Sequence, residues 1–184
     1  MDVDGLKSKA NPNAVSYLFL GGRRSGKSIL AERQAFSLGG ERVTYVATAK
    51  ISEFDAKRID EHQKRRNAKW ETVEIGESPQ DIVRVLAEES RVLLIDSIGV
   101  WIATFHPKRA NIDVLVASLE SRNALGRKTV IVSEEVGLSI HTKSEVTDSF
   151  VDLLGETNQK LGQVCHKMFF VVAGRLLQLD KTDV

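Results

Sequence analysis

Little in this chain points outward to a membrane, a disulfide scaffold or a nucleic acid. Cysteine occurs once, as Cys165, among 184 residues. One thiol closes no internal disulfide, so a reducing compartment, the cytoplasm, is the simple expectation. Long apolar runs are missing. The longest, such as residues 168–173, fall far short of the stretch that spans a bilayer. Neither sign of charge dominates, with 26 Lys and Arg against 25 Asp and Glu. That balance excludes a bulk electrostatic pull toward nucleic acid or a membrane surface. Residues 1–14 are polar and carry no signal-peptide core, so they read as a disordered extension ahead of one domain over 15–184. His106, His141 and His166 share no spacing with Cys165 that would suggest a zinc site, and they read as surface or packing residues. No internal repeat or low-complexity tract is evident.

What is present is a 42% hydrophobic chain, enough for a real core, organised around residues 21–28, GGRRSGKS. The stretch fits Gly-x-x-x-x-Gly-Lys-Ser, the phosphate-binding-loop pattern. Before it stands Tyr17-Leu18-Phe19-Leu20, a strand-like apolar run; after it, residues 29–36 space their apolar side chains as a helix does. Glycines let backbone N–H groups close around phosphate oxygens, and the helix start adds partial positive charge. Gly21, Gly22, Arg23, Arg24, Ser25 and Gly26 form the cradle. Lys27 is expected at the β- and γ-phosphates and Ser28 on Mg²⁺.

Strands are expected at 16–20, 42–47, 70–75, 91–96, 129–132, 168–173 and 176–179. Helices are expected at 27–38, 52–66, 78–89 (Ser78 as cap), 111–126 and 143–167. Residues 97–105 suit a helix start or a packed loop. Alternating strands and helices imply an α/β fold with a mostly parallel sheet. Asp96 closes an apolar strand, where a carboxylate on the ligand side can serve the metal. Glu134 and Glu135 follow another strand; they suit a metal shell or a general base, or are simply solvated acids.

The helix at 52–66 carries Arg58, His62, Arg65 and Arg66 on neighbouring turns of one face. Fixed positive charge disfavours the imidazolium, so His62 would stay neutral near pH 7 and could attack phosphorus while the arginines hold phosphate oxygens. An exposed basic face with an incidental histidine fits the same residues.

Taken together, these segments resemble the bifunctional adenosylcobinamide kinase / adenosylcobinamide-phosphate guanylyltransferase family of cobalamin synthesis, over residues 18–179. The family's Gly-Gly-x-Arg-Ser-Gly-Lys-Ser loop is matched from Gly21 to Ser28, and its Tyr-x-Ala-Thr-Ala strand end by Tyr45-Val46-Ala47-Thr48-Ala49. Its Arg-Ile-x-x-His helix ahead of a Trp is matched by Arg58, Ile59 and His62 ahead of Trp70. The resemblance implies a RecA-like phosphate-loop fold, Mg²⁺, ATP and GTP as substrates, corrinoid acceptors and a homo-oligomer, a trimer with sites near subunit boundaries. It makes His62 the histidine guanylylated by GTP, which passes GMP to adenosylcobinamide phosphate. Lys27 is then a phosphate clamp, Ser28 and Asp96 metal-side groups, and Glu135 a candidate base or metal-shell residue. The second half departs from the pattern. Glu134 replaces an Asn, Gly99 a Thr, Ile140-His141 a Val-Pro, and Asp148 and Val151 two arginines. Lost cations and added acids weaken a polyanion site there. A different small-molecule kinase on the same scaffold and a non-catalytic nucleotide-binding paralogue are the alternatives.

Overall fold

The computed structural model describes residues 15–48, 67–75, 77–105, 111–138 and 145–181. The expected helix over 52–66, with Arg58, His62, Arg65 and Arg66, lies outside them, as do residues 1–14, His106 and His141.

Strands β1 (Ser16–Gly21), β2 (Val43–Ala47), β3 (Glu71–Glu74), β4 (Val92–Asp96), β5 (Thr129–Glu134), β6 (Lys167–Val172) and β7 (Arg175–Leu179) form one sheet in the order β3-β2-β4-β5-β1-β6-β7. All neighbours pair parallel except β6 and β7, which form an antiparallel hairpin. The described helices are α1 (Lys27–Gly39), α2 (Gln80–Glu88), α3 (Ile98–Phe105), α4 (Ile112–Ala124) and α5 (Glu145–Val164). This is the mostly parallel α/β sheet that the sequence implies.

Strand alternation sorts the core into two layers. Leu18, Leu20, Val46, Leu93, Ile95 and Ile131 face α2, α3, α4 and α5, and meet Leu86, Trp101, Leu119 and Leu154 there. Tyr17, Phe19, Tyr45, Leu94, Val130 and Val132 face the opposite way onto α1. Helix α1 offers Ala31 and Ala35, both fully buried, so its backbone rides close over the sheet.

The structure decides the open segment 97–105, keeps the expected cap of α2 and moves the end of β5. Segment 97–105 is helical from Ile98, because Ile98, Trp101, Ile102 and Phe105 recur on one buried stripe. Ser78 caps α2 as expected: its Oγ accepts from the Gln80 N–H at 3.3 Å, its own N–H donates to Asp81 Oδ2 at 3.0 Å, and Pro79 already has helical dihedrals, φ −63° and ψ −20°. Strand β5 runs two residues past the expected end at 132, to Glu134, because Leu20 and Gly21 of β1 continue to pair with Ser133 and Glu134.

Candidate active site

Because β1, β4 and β5 are parallel and adjacent, their carboxyl ends open on one edge of the sheet. The 21–28 loop leaves β1 at that edge. Its turn is closed by the Ser25 N–H donating to Gly22 O at 3.2 Å. Arg24, at φ 59°, and Gly26, at φ 96°, reverse the backbone so that α1 begins at Lys27. No acidic residue sits in the first turn of α1, which leaves its N–H groups to an anion. Gly21 is forced by space: a Cβ there would stand 2.5 Å from Val171 O. Arg23 and Arg24 are exposed at the loop's outer side.

Lys27 turns back over its loop. Its Nζ donates to Gly22 O at 3.4 Å and lies 3.6 Å from Glu134 Oε1. Ser28 Oγ donates to Asp96 Oδ1 at 3.4 Å, and the Tyr45 hydroxyl donates to Asp96 Oδ2 at 2.8 Å. Just beyond Asp96, the Thr48 hydroxyl donates to Ser97 O and accepts from the Ser97 N–H, each at 2.8 Å, which ties β2's end to β4's. The loop, Lys27, Ser28 and Asp96 therefore lie together at this edge of the sheet.

Glu135 is placed differently from its neighbour. Its Oε1 accepts from the Gly137 N–H at 2.8 Å, and it lines a cavity of about 330 Å³ with Val151, Asp152, Gly155 and Asn158. The carboxylate beside Lys27 belongs to Glu134, whose Oε2 accepts from the Gly99 N–H at 3.0 Å. Burial pushes the Glu134 carboxyl above its usual range; Lys27 and hydrogen bonds from Ser97 and Gly99 oppose that, and Asp96 adds to it. Solvent still reaches 26% of the side chain, but its carboxylate is closely surrounded by protein, and that crowding dominates. Position 99 has room only for a glycine beside this carboxylate, since a Cβ there would stand 2.2 Å from Glu134 Oε2. Asn158 of α5 secures the end of β5, accepting from Ser133 Oγ at 2.6 Å and donating to Glu134 O at 3.0 Å. His166 packs far from this edge, its Nδ1 2.8 Å from Ser16 Oγ at the amino end of β1.

Sheet, loop and Ser28–Asp96 pair define a phosphate-loop nucleotide-binding enzyme. More narrowly, the chain belongs to the cobinamide kinase / cobinamide phosphate guanyltransferase family, whose model matches residues 17–179. It is 36% identical over 162 residues to the bifunctional adenosylcobalamin biosynthesis protein CobP of Pseudomonas aeruginosa, covering 85% of this chain and 92% of that protein. Against the bifunctional adenosylcobalamin biosynthesis protein CobU of Escherichia coli it is 28% identical over 179 residues, covering 85% and 95%. Among solved structures it is similar to the flagellar accessory protein FlaH from Methanocaldococcus jannaschii, with a TM-score of 0.49 and 16% identity over 88% of this chain and 74% of that one. No described helix is long and apolar enough to cross a membrane.

Proposed function

We propose that this chain phosphorylates adenosylcobinamide and then transfers GMP onto the phosphate so formed, with His62 guanylylated between the two halves of the second reaction. The observation that carries this is the meeting of Lys27, Ser28 and Asp96 at the mouth of the loop, in a chain of the named family. The loop amides, Gly21 to Gly26, wrap the phosphates, and Lys27 places its charge at the β- and γ-phosphates. Ser28 and Asp96 would hold Mg²⁺. Two hard oxygens suffice, because this ion keeps several waters and takes further ligands from phosphate. When bound, the ion supplies neutralisation of phosphate charge.

In the kinase step, a hydroxyl of the corrinoid's aminopropanol arm takes the γ-phosphoryl group of the triphosphate, and the diphosphate leaves. In the transferase step, a neutral His62 nitrogen attacks the α-phosphorus of GTP. A P–N bond forms, the bond to the β-phosphate oxygen breaks, and pyrophosphate departs. An oxygen of adenosylcobinamide phosphate then attacks the same phosphorus and releases the histidine. Arg58, Arg65 and Arg66 favour the neutral imidazole and hold the α-phosphate oxygens. The placement of Arg58, Ile59 and His62 ahead of Trp70 supports this role. Glu135 is a candidate base or metal-shell residue. A cytoplasmic homo-oligomer, a trimer, completes the reading.

Intact-mass measurement after incubation with GTP and Mg²⁺ tests it. The expected result is a GMP adduct that is acid-labile and alkali-stable, absent from His62→Asn and retained when His106, His141 or His166 is replaced. An unchanged mass in protein shown to bind GTP overturns the transferase step and leaves a kinase or a nucleotide-binding paralogue.

A further inference from the structure

Glu134 brings a negative charge to a loop built to receive negative charge, and nothing in the reaction above uses it. Its position is determined by the sheet. Strand β5 is paired with β1 to its last residue, so Glu134 stands in register with Gly21, the residue at which β1 becomes the loop. From there the carboxylate divides between two elements. Oε1 lies 3.6 Å from Lys27 Nζ, and Oε2 takes the Gly99 N–H at 3.0 Å in the first turn of α3. The side chain at 99 is missing where this carboxylate lies, since a Cβ there would fall 2.2 Å from Oε2 and 3.0 Å from Cδ. Lys27 is only 10% exposed, and Gly22 O at 3.4 Å is a distant acceptor for an ammonium. Among the described residues Glu134 is therefore its main counter-charge.

We propose that Glu134 is the holding partner of Lys27: a positioning residue that keeps the ammonium at the head of the loop before nucleotide arrives, and that competes with the triphosphate for it. The proposal rests on the nucleotide-binding reading of the loop. A triphosphate presents its charge to the same ammonium, so binding either draws Lys27 away from Glu134 or shares it. In both cases the carboxylate is left near phosphate oxygens, where like charges repel. Glu134 thereby lowers affinity for the triphosphate and steadies the empty loop. A glutamine in its place keeps the volume and an oxygen for the Gly99 N–H, and removes the charge that holds Lys27.

Calorimetry with ATP and GTP, with and without Mg²⁺, tests this on the full chain, together with kcat and KM for phosphoryl transfer. Glu134→Gln should bind either triphosphate about tenfold more tightly than the unaltered chain, by the size of effect that a close charge pair exerts on binding. Affinity for adenosine and guanosine, which carry no phosphate, should stay unchanged. KM for triphosphate should fall with kcat altered less than KM. In a Lys27→Met background the gain from Glu134→Gln should shrink, because its lysine-dependent part is gone. Should the glutamine variant not fold, Glu134→Asp withdraws the charge from Lys27 by one methylene and should give a smaller gain of the same sign. Unchanged or weaker triphosphate binding in a folded variant overturns the proposal. So does a collapse of kcat at unchanged affinity, which would make Glu134 a general base. If the unaltered chain binds neither nucleotide, the reading of the loop fails first. If it binds both and Lys27→Met binds them more weakly, that reading stands and the Glu134 comparison alone decides the proposal.

Discussion

Cys165 lies 1% exposed at the end of α5, and burial pushes its thiol up to about 12, against smaller opposing pulls from Ser16 and Lys181. The unfolded chain ionises this group near its ordinary value of 9.0. The folded pKa is the higher of the two, so the contribution is fully present below 9 and is lost as pH rises toward 12. Within that window the loss runs at about 1.4 kcal/mol per pH unit. Comparing the urea stability of Cys165→Ala with that of the unaltered chain between pH 8 and 10.5 isolates this thiol from tyrosines and lysines. The variant should lose stability less steeply; equal slopes would show that the thiol is ionised in the fold. Single residues of the site were legible where type alone decides. Lys27, Ser28 and Asp96 stand where a phosphate loop and a strand-ending acid require them. Glu134 and Glu135 are chemically alike and adjacent, and they part only through where β5 stops pairing with β1. Composition and spacing carry no information on that end point.

Among the elements, α4 shows where periodicity succeeds and where it stops. Ile112, Leu115 and Leu119 mark its buried stripe, and Asn111 caps it by accepting from the Val114 N–H at 3.2 Å. Arg122 continues the same stripe, where a charged residue reads as surface. The fold buries it to 1% exposure. Its guanidinium donates to Thr129 Oγ1 at 2.9 Å, Arg91 O at 2.6 Å, Leu86 O at 3.2 Å and Lys128 O at 3.3 Å, and also to Glu89 O. One side chain thus satisfies carbonyls at the end of α2 and ahead of β4 and β5. Those carbonyls come together only after the sheet has formed, so the sequence offers no sign of them. Burial lowers the guanidinium pKa to about 10, with Arg127 pushing the same way and Glu89 opposing, so it remains charged at neutral pH. Arg122→Met should cost about 3 kcal/mol or more, from carbonyls left without donors. It should appear as a lower urea midpoint, with triphosphate affinity of the remaining folded protein unchanged, because these contacts lie at the edge of the sheet opposite the loop. A midpoint within error of the parent would mean that water replaces the guanidinium.

At the scale of the whole molecule, the site depends on a strand order that local patterns do not encode. Alternating strands and helices imply a parallel sheet, but not that β5 inserts between β1 and β4, nor that the last two strands fold back beside the loop. The β6–β7 turn has only Ala173 and Gly174 between its strands, at φ 50° and 73°, as a tight hairpin of right-handed twist requires. Its Gly174 N–H donates to Ser25 O at 2.8 Å, and Gly174 Cα would lie 3.2 Å from a Cβ added at Gly26. The hairpin thus backs the phosphate loop from behind, although β7 itself is an edge strand with Leu177 59% exposed. Gly174→Val puts a β-branched residue at positive φ, a strain of about 1–2 kcal/mol that the turn relieves by moving. The loop moves with it. The expected result is a several-fold weaker triphosphate affinity, read by calorimetry, in a protein that still melts cooperatively. Ala173→Asn acts in the opposite sense. It places a residue suited to the left-handed conformation where alanine is strained, and should raise stability by about 0.5–1 kcal/mol with affinity unchanged. If Gly174→Val lowers the melting temperature and leaves nucleotide affinity intact, the hairpin is a cover for the sheet edge and the loop holds its shape without it.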